Sequence, residues 1–328
     1  VDRRGILLTS QVIQMLRAVA LAVLYFTGHL GITAIMVVAF LAGLTQSQSA
    51  PTYQAVLPSL VPREHIPNAV ALNSLQFNTS RAIGPVIAGL LLAQAGTGAC
   101  FVANAGSFIV VILVLWWIRF PSPKTGGGEN LVETLRAGVR HVTRDRLLRT
   151  FTLLAGATSF LGFPLITFLP TLAGDVLGTG ATGYSLLLTS MGVGAIIGAV
   201  TTAQRGNVPG RGRLTLAHLA AFALVTMGAV LSQWQWVSMA LLVASGYTLT
   251  TALSTVSSLV QEHTPDDLRG RVMSIFGLAF RGGLPVGSLV GGLFVREAGV
   301  PAVMATSCAV LLVLAVYLLL RHRELRAL

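Results

Sequence analysis

The sequence predicts an all-α polytopic membrane protein, and three observations support this fold class: charges are few, apolar segments are long, and basic residues are confined to alternate loops. Only 10% of the 328 residues are charged, whereas an ordinary soluble domain carries about 25%. The hydrophobic fraction is 54% and the mean hydropathy is +0.77. So few charges cannot cover the surface of a water-soluble protein of this size, and most of the surface is therefore predicted to face lipid.

About ten segments are long enough to cross a bilayer, since each crossing needs roughly 20 apolar residues. They are predicted to be helices because, in lipid, every backbone N–H and C=O group must find a partner within its own segment. Closely spaced glycines, such as Gly194 and Gly198, are expected to let neighbouring helix backbones approach each other. The predicted spans are residues 6–26, 32–48, 72–95, 99–118, 148–169, 184–203, 214–231, 237–259, 272–295 and 301–320.

Basic residues concentrate in alternate loops between these spans. Seven of them lie between residues 119 and 149, after the fourth span, whereas the intervening loops hold almost none beyond Arg296. This distribution satisfies the positive-inside rule and predicts that both termini lie in the cytoplasm. The formal net charge of +11 is therefore interpreted as an orientation signal, and no nucleic-acid partner is expected.

One sequence pattern occurs in two copies, about 200 residues apart. Each copy leads from a charged loop into a long apolar segment. Such a repeat in a membrane protein is typical of transporters built from two related helix bundles. The first copy contains Ser59-Leu60-Val61, Glu64-His65, Pro67, Arg81-x-x-x-Pro85 and Ala95-Gly96, and the second contains Ser258-Leu259-Val260, Glu262-His263, Pro265, Arg281-x-x-x-Pro285 and Ala298-Gly299.

One stretch, residues 119–149, interrupts the hydrophobic pattern. It begins with a linker rich in proline and glycine and continues with apolar residues at helical spacing, from Leu131 to Val142. This pattern predicts an amphipathic helix on the cytoplasmic membrane surface. The predicted domains are an N-terminal bundle of four spans (residues 1–118), a cytoplasmic linker with this helix (residues 119–147) and a C-terminal bundle of six spans (residues 148–328).

The alternating spans, the central basic loop and the two related halves resemble the major facilitator superfamily, whose members have two six-helix bundles. Asp2-Arg3-Arg4 is similar to the end of that family's loop between helices two and three. On this resemblance the ten spans correspond to family helices three to twelve, and the first two helices are expected to be absent. The run from Pro51 to Pro62, followed by Ala69, Asn73 and Gly84-Pro85-x-x-x-Gly89, resembles the bacterial exporter branch that includes the enterobactin exporter.

The resemblance implies a secondary active transporter of the bacterial inner membrane. It implies proton-coupled efflux of drugs, siderophores or other small amphipathic metabolites by alternating access, with a small-molecule substrate, lipid contacts, a monomeric state and neither cofactor nor metal. The alternative is a non-transporting truncated remnant, or a regulatory or structural membrane partner. Enzyme chemistry is not expected: no Walker loop occurs, and the His263-x-x-x-Asp267 spacing is better explained as a helix start, with Pro265 and acidic residues in its first turn.

Three arginines fall inside the predicted spans: Arg17, Arg81 and Arg281. A charge near the bilayer centre costs at least ~2.5–3.5 kcal/mol on insertion scales, so each needs a partner or a watery cavity. Arg81 and Arg281 either line a central cavity, where they bind an anionic part of the substrate or a carboxylate or change partners as the bundles rock, or they reach the headgroups from near their helix ends. Arg17 lies at a similar depth, and the sequence names no partner for it. Gln76 and Asn78 precede Arg81 and are expected to face the cavity and hydrogen-bond the substrate; the alternative is that they form interhelical hydrogen bonds. No Asp or Glu lies deep within a predicted span, so no proton-coupling carboxylate is identified.

Two further sets of candidates come from helix-bending residues and from the start of the chain. Proline frees a backbone carbonyl and kinks a helix, and neighbouring glycines allow close packing against the kink. In the family, the fifth-helix version of this motif is associated with exporters, and the resemblance also implies a gating loop whose contacts break as the bundles rock. The motif candidates are Gly84, Pro85, Gly89, Gly283, Pro285 and Gly287, and the gating-loop candidates are Asp2, Arg3 and Arg4.

Overall fold

The computed structural model describes residues 3–56, 60–62, 66–118, 131–205 and 210–321. These residues form helices joined by short turns, and no β-strand occurs among them. The chain divides into two compact units, one of residues 1–80 and 87–127, the other of residues 81–86 and 128–328. The predicted all-α fold is confirmed.

The first unit is built from α1 (Arg3–Phe26), α2 (Ile32–Val56) and most of α3 (Ile66–Trp117). The 52 residues of α3 would extend roughly 78 Å, far more than the ~30 Å hydrocarbon core of a bilayer. Gly96 divides this helix, because its backbone angles (φ 75°, ψ −179°) lie outside the helical region and in one that glycine almost alone adopts. α3 therefore consists of two helices joined by a tight turn.

α1 and the second half of α3 run antiparallel. At one end, Nη2 of Arg4 donates a hydrogen bond to the carbonyl oxygen of Trp116. At the other end, a Cβ atom on Gly98 would lie 2.6 Å from the ring of Phe26, so Gly98 packs closely against the end of α1 and a larger residue would displace this ring. Opposite directions are what the first and fourth spans of an alternating series require.

The second unit contains a span with two interruptions. Asp145 caps its start, accepting hydrogen bonds from the backbone N–H groups of Leu147 and Leu148. Pro164 begins the second segment, and a π-helical turn ends the span. The helices of this unit are α4 (Leu131–Arg144), α5 (Arg146–Gly162), α6 (Pro164–Thr171), the π-helical turn (Leu172–Val176), α7 (Gly180–Arg205), α8 (Arg211–Leu231), α9 (Gln235–His263) and α10 (Asp266–Arg321).

Gly299 divides α10 in the same way that Gly96 divides α3. Its backbone angles (φ 77°, ψ 159°) again require glycine, and Pro301 follows in the first turn of the next helix, where its missing N–H is harmless. The Ala-Gly pairs noted in the sequence repeat thus join two helices in each half.

α5, α8, α9 and both halves of α10 enclose the larger of two apolar clusters in the described part of the second unit. Large side chains such as Phe151 and Phe222 are completely buried in it. Glycines bring α7 and α9 together: a Cβ atom on Gly194 would lie 1.9 Å from the carbonyl oxygen of Val243, and one on Gly198 would lie 2.6 Å from that of Tyr247. The predicted close approach at these two glycines is confirmed.

The predicted amphipathic helix corresponds to α4, which packs against the start of α10. Val142 is buried, and a Cβ atom on Gly138 would lie 3.1 Å from the carbonyl oxygen of Arg271. Arg136, Arg140 and Arg144 are exposed on another face. The buried side of α4 therefore faces protein, and its location at the membrane surface stays a prediction.

Seven helices in the described part of the chain are long and apolar enough to cross a membrane. The last of them, Leu268–Arg321, contains the Gly299 turn and has the length of two crossings. α2 is apolar over the shorter stretch Ile32–Gln46. Each of the ten predicted spans falls on one of these helices or on half of a divided helix.

Candidate transport site

Arg17 is placed in the middle of α1. It lies nine residues before Phe26, where the helix ends, a distance of about 14 Å along the helix axis. Its Nε and Nη1 atoms are buried and have no hydrogen-bond partner in the part of the chain that the structure describes. Buried N–H donors normally have partners, so these two nitrogens of the half-buried Arg17 mark a position where a ligand or another charged group would be stabilised.

Polar residues accompany Arg17 on one side of α1. Ser10, Gln14 and Arg17 follow the i, i+4, i+7 spacing of a helix face. Ser10 is buried and donates to the carbonyl oxygen of Leu7 at 2.7 Å, and Gln14 is half-buried. The opposite side of α1 exposes apolar residues, including Leu16 and Val23.

Gln76 lies on α3, where its side-chain amide donates to Oγ of Ser80 at 3.0 Å. One turn earlier, the Tyr53 hydroxyl of α2 donates to Oδ1 of Asn73 at 2.9 Å. The Tyr53–Asn73 hydrogen bond therefore joins α2 to α3 before Arg81, whereas the Gln76–Ser80 bond lies within α3. Three predicted site residues, Asn78, Arg81 and Pro85, belong to α3 by their backbone, but their side chains lie outside the described residues.

Arg281 lies in the first half of α10, fifteen residues from its start at Asp266 and about 22 Å along the axis. Its side chain is exposed, with no hydrogen bond or ion pair to the described residues. A position this deep disfavours the interpretation that Arg281 lies near a helix end.

The two copies of the glycine–proline motif differ in packing. A Cβ atom on Gly287 would lie 2.0 Å from the carbonyl oxygen of Phe160, and one on Gly283 would lie 2.6 Å from Cβ of Ser159, so both glycines lie against the backbone of α5. Pro285 is exposed between them. Around Gly84, a Cβ atom would meet no described atom within 4 Å. Gly89 is half-buried.

An ion pair that the sequence did not reveal connects α8 to α9. The Arg211 guanidinium donates two hydrogen bonds to the Glu262 carboxylate, at 2.9 and 2.5 Å, and Ser258 donates a third at 2.8 Å. Beside it, Nε2 of His263 lies 3.3 Å from the carboxylate of Asp145. The sequence has no Asp in the loop before α8, and the acidic partner of Arg211 is Glu262 at the end of α9. The sequence feature that could have pointed to Glu262 is the Glu-His pair, which occurs in both copies of the repeat.

The predicted gating loop is described only in part. Asp2 lies outside the described residues, and Arg3 begins α1. Arg4 joins the start of α1 to the end of α3 through Trp116. The gating role of these residues stays a prediction.

An apolar cleft of about 450 Å³ lies in the second unit, between α6 and the two halves of α10. Its walls include Phe160, Pro164, Phe168, Phe294 and Val303, and only two hydroxyl side chains, Thr306 and Ser307, join them. The volume falls within the ~300–1,000 Å³ range of small-molecule pockets. The cleft can accept an apolar molecule or a lipid chain, and Arg281 does not line it.

Known proteins with similar sequences include enterobactin exporters. A model of the family described as transmembrane secretion effector matches residues 1–327. The enterobactin exporter EntS of Escherichia coli O1:K1 / APEC is 30% identical over 292 residues, which is 87% of this chain and 68% of that exporter. EntS of Shigella boydii serotype 18 (strain CDC 3083-94 / BS512) gives the same identity and the same coverage.

Solved structures with a similar fold are transporters. A D-xylose–proton symporter superposes with a TM-score of 0.77 and 13% identity, covering 99% of this chain and 82% of the symporter. The nucleoside transporter NupG superposes with a TM-score of 0.68 and 12% identity, covering 98% of this chain and 84% of NupG. Identities this low establish the fold alone. Together with the match along the chain, they show that this membrane protein belongs to the transmembrane secretion effector family of major facilitator transporters.

Proposed function

We propose that this transporter is a secondary active exporter of drugs, siderophores or other small amphipathic molecules. The observation that carries the proposal is the 30% identity to enterobactin exporters over 87% of the chain. Export is driven by protons, and the helix bundles expose the substrate site alternately to the two sides of the membrane. The apolar cleft between α6 and α10 supports an amphipathic substrate, since its lining suits the apolar part of such a molecule.

The proposed orientation places both termini in the cytoplasm, in a bacterial inner membrane. Trp116 and Trp117 at the end of α3 are 71% and 91% exposed, and Trp234 and Trp236 at the start of α9 are 75% and 76% exposed. Exposed tryptophans at helix ends are typical of membrane–water interfaces. The first pair adjoins the arginine-rich linker, as a cytoplasmic interface requires, and the second adjoins a loop without basic residues.

The proposed organisation keeps the three predicted segments: a bundle of residues 1–118, a cytoplasmic linker of residues 119–147 and a bundle of residues 148–328. The transporter works as a monomer surrounded by lipid. Arg17, Gln76, Asn78, Arg81 and Arg281 line the passage, because polar and charged groups at membrane depth are stable only beside partners or water. The glycine–proline motifs and the residues before α1 permit the bundles to move.

Accumulation measurements in a bacterial host without its own efflux pumps test this function. Cells that produce the protein should retain less of at least one compound from a panel of drugs and siderophores, and a protonophore should abolish the difference. Arg281→Ala should lower export about tenfold, a loss of about 1.4 kcal/mol. Arg296→Ala is the matched control, since Arg296 is an exposed arginine near the outer end of the same half of α10.

Two outcomes would contradict these proposals separately. If no compound is retained less than in the host alone, the export function is wrong. If Arg281→Ala exports as well as Arg296→Ala, the role assigned to Arg281 is wrong while the export function stands.

A further inference from the structure

We infer that Arg17 is a binding site for an anionic group of the transported molecule, such as a carboxylate, phenolate or phosphate. The inference rests on the proposed export function and names the substrate chemistry that this site selects. A guanidinium is suited to such groups because its planar, permanently charged fork matches the geometry of two anionic oxygens.

The first reason is that two of the three guanidinium nitrogens of the half-buried Arg17 are shielded and lack hydrogen-bond partners among the described residues. Nε and Nη1 are both shielded, and neither donates a hydrogen bond to any residue that the structure describes. Burial of a charge is unfavourable unless an opposite charge or hydrogen-bond acceptors compensate it. The Nε–H and Nη1–H groups of Arg17 can therefore donate hydrogen bonds to an anionic acceptor that the described residues do not provide.

The second reason is that the predicted spans contain no carboxylate to neutralise Arg17. The structure describes four acidic side chains, and all lie at or beside helix ends in the second unit: Asp145, Asp175, Glu262 and Glu297. The other acids of the sequence lie outside the predicted spans. A bound anion is the simplest source of the missing negative charge at the depth of Arg17.

The third reason is the position of Arg17 around α1. The lipid-like arc of the helix carries the exposed residues Val12, Leu16, Val19 and Val23. Arg17 lies at the edge of this arc, one turn after the exposed Ile13, on the side that carries Ser10 and Gln14. Its depth of about 14 Å from the nearer helix end also separates it from lipid headgroups. The ligand is therefore a solute that enters the protein, and lipid phosphate becomes an alternative for the test to exclude.

The test uses purified protein in neutral detergent, with unfolding followed by circular dichroism. The probes are benzoate and 2-naphthoate, each compared with its uncharged amide, which has nearly the same shape. The acids should raise the unfolding temperature by several degrees more than the amides. Arg17→Gln should abolish this difference, Arg17→Lys should keep part of it, and the exposed control Arg296→Gln should keep all of it.

A second readout separates a binding residue from a structural one. Without ligand, Arg17→Gln should unfold at the same temperature as the wild type or a higher one, because the substitution removes an unsatisfied buried charge. A structural arginine would give the opposite result, with a markedly lower unfolding temperature. That lower temperature would overturn the inference even if the anions no longer bind.

Three other results would overturn it. The acids and amides could stabilise the wild type equally, Arg17→Gln could retain the preference for the acids, or added phosphatidylglycerol could give an Arg17-dependent stabilisation that benzoate and 2-naphthoate do not. Binding in detergent needs no proton gradient, so a negative result here alongside export in cells rejects only the anion site. A positive result without export in cells rejects only the export function.

Discussion

α3 and α10 use the same sequence framework for different packing. Both are divided by a glycine with positive φ, Gly96 in one and Gly299 in the other. When Arg81-x-x-x-Pro85 is aligned with Arg281-x-x-x-Pro285, Ile83 corresponds to Gly283 and Ile87 to Gly287. The isoleucines are 47% and 52% exposed, whereas the two glycines lie against the backbone of α5.

This difference indicates which features a duplicated unit retains. The turn between two helices depends on a local backbone conformation, and one glycine is enough to specify it. Packing between helices depends on side chains from distant parts of the chain, so it can diverge while the turn is kept. The comparison therefore predicts similar effects at the two turns and different effects at the two packing faces.

The largest effect is expected for Gly287→Ala, compared with Ile87→Ala. The new methyl group would lie 2.0 Å from the carbonyl oxygen of Phe160, so α5 and α10 must separate, at a cost on the order of 3 kcal/mol. Ile87→Ala removes an exposed side chain and should change the free energy of unfolding by less than about 1 kcal/mol. Denaturant unfolding in mixed micelles measures both values, and equal values would contradict the difference between the two faces.

The next largest effects are expected at the turns. Gly96→Ala and Gly299→Ala each force a side chain into a backbone region that costs about 1–3 kcal/mol. A Cβ atom on Gly96 would meet no described atom within 4 Å, and one on Gly299 would lie 3.7 Å from Cδ of Pro301. Backbone strain rather than a steric clash therefore determines the loss of stability. The same unfolding assay should give similar losses at both sites. A neutral effect at either one would mean that its turn does not need glycine.

Gly283→Ala and Gly84→Ala should change stability in opposite directions. At Gly283 the methyl group would lie 2.6 Å from Cβ of Ser159, which predicts a loss of about 1–2 kcal/mol. At Gly84 no described atom lies within 4 Å, so the higher helix propensity of alanine predicts a gain of up to ~1 kcal/mol. Melting temperatures of the two variants provide the comparison, and a shared sign would contradict it.

The smallest effect concerns the ion pair beside the loop that leads into α10. The side chains of Arg211 and Glu262 are 16% and 44% exposed, so water screens their attraction. Arg211→Gln or Glu262→Gln should cost about 0.5–1 kcal/mol, with nearly all of it recovered as coupling in a double-mutant cycle. Arg213→Gln, at an exposed position on the same helix, is the control and should be neutral. A coupling energy of zero would mean that the pair does not stabilise this end of the bundle.

The sequence was sufficient to predict the membrane helices and the two glycine turns, but not the break at Pro164 within the predicted span of residues 148–169. The gaps left between the spans at residues 96–98 and 296–300 contain the two glycine turns, because loss of hydropathy and a change of backbone direction coincide there. It could not predict that Glu262 pairs with Arg211, since the two are 51 positions apart and nothing local selects one acid over another. The sequence also could not predict that Gly287 packs against Phe160, since these residues are far apart in the chain. Arg17 could be identified as a candidate site residue because a charged side chain within a membrane span is rare.

Transport by membrane vesicles is the most direct test of the central claim, that this chain moves small amphipathic molecules at the expense of a proton gradient. Inverted vesicles that contain the protein should accumulate at least one radiolabelled compound of the panel when a pH gradient is imposed, and should release it when a protonophore removes the gradient. Accumulation that matches vesicles without the protein for every compound, with or without the gradient, would contradict the account.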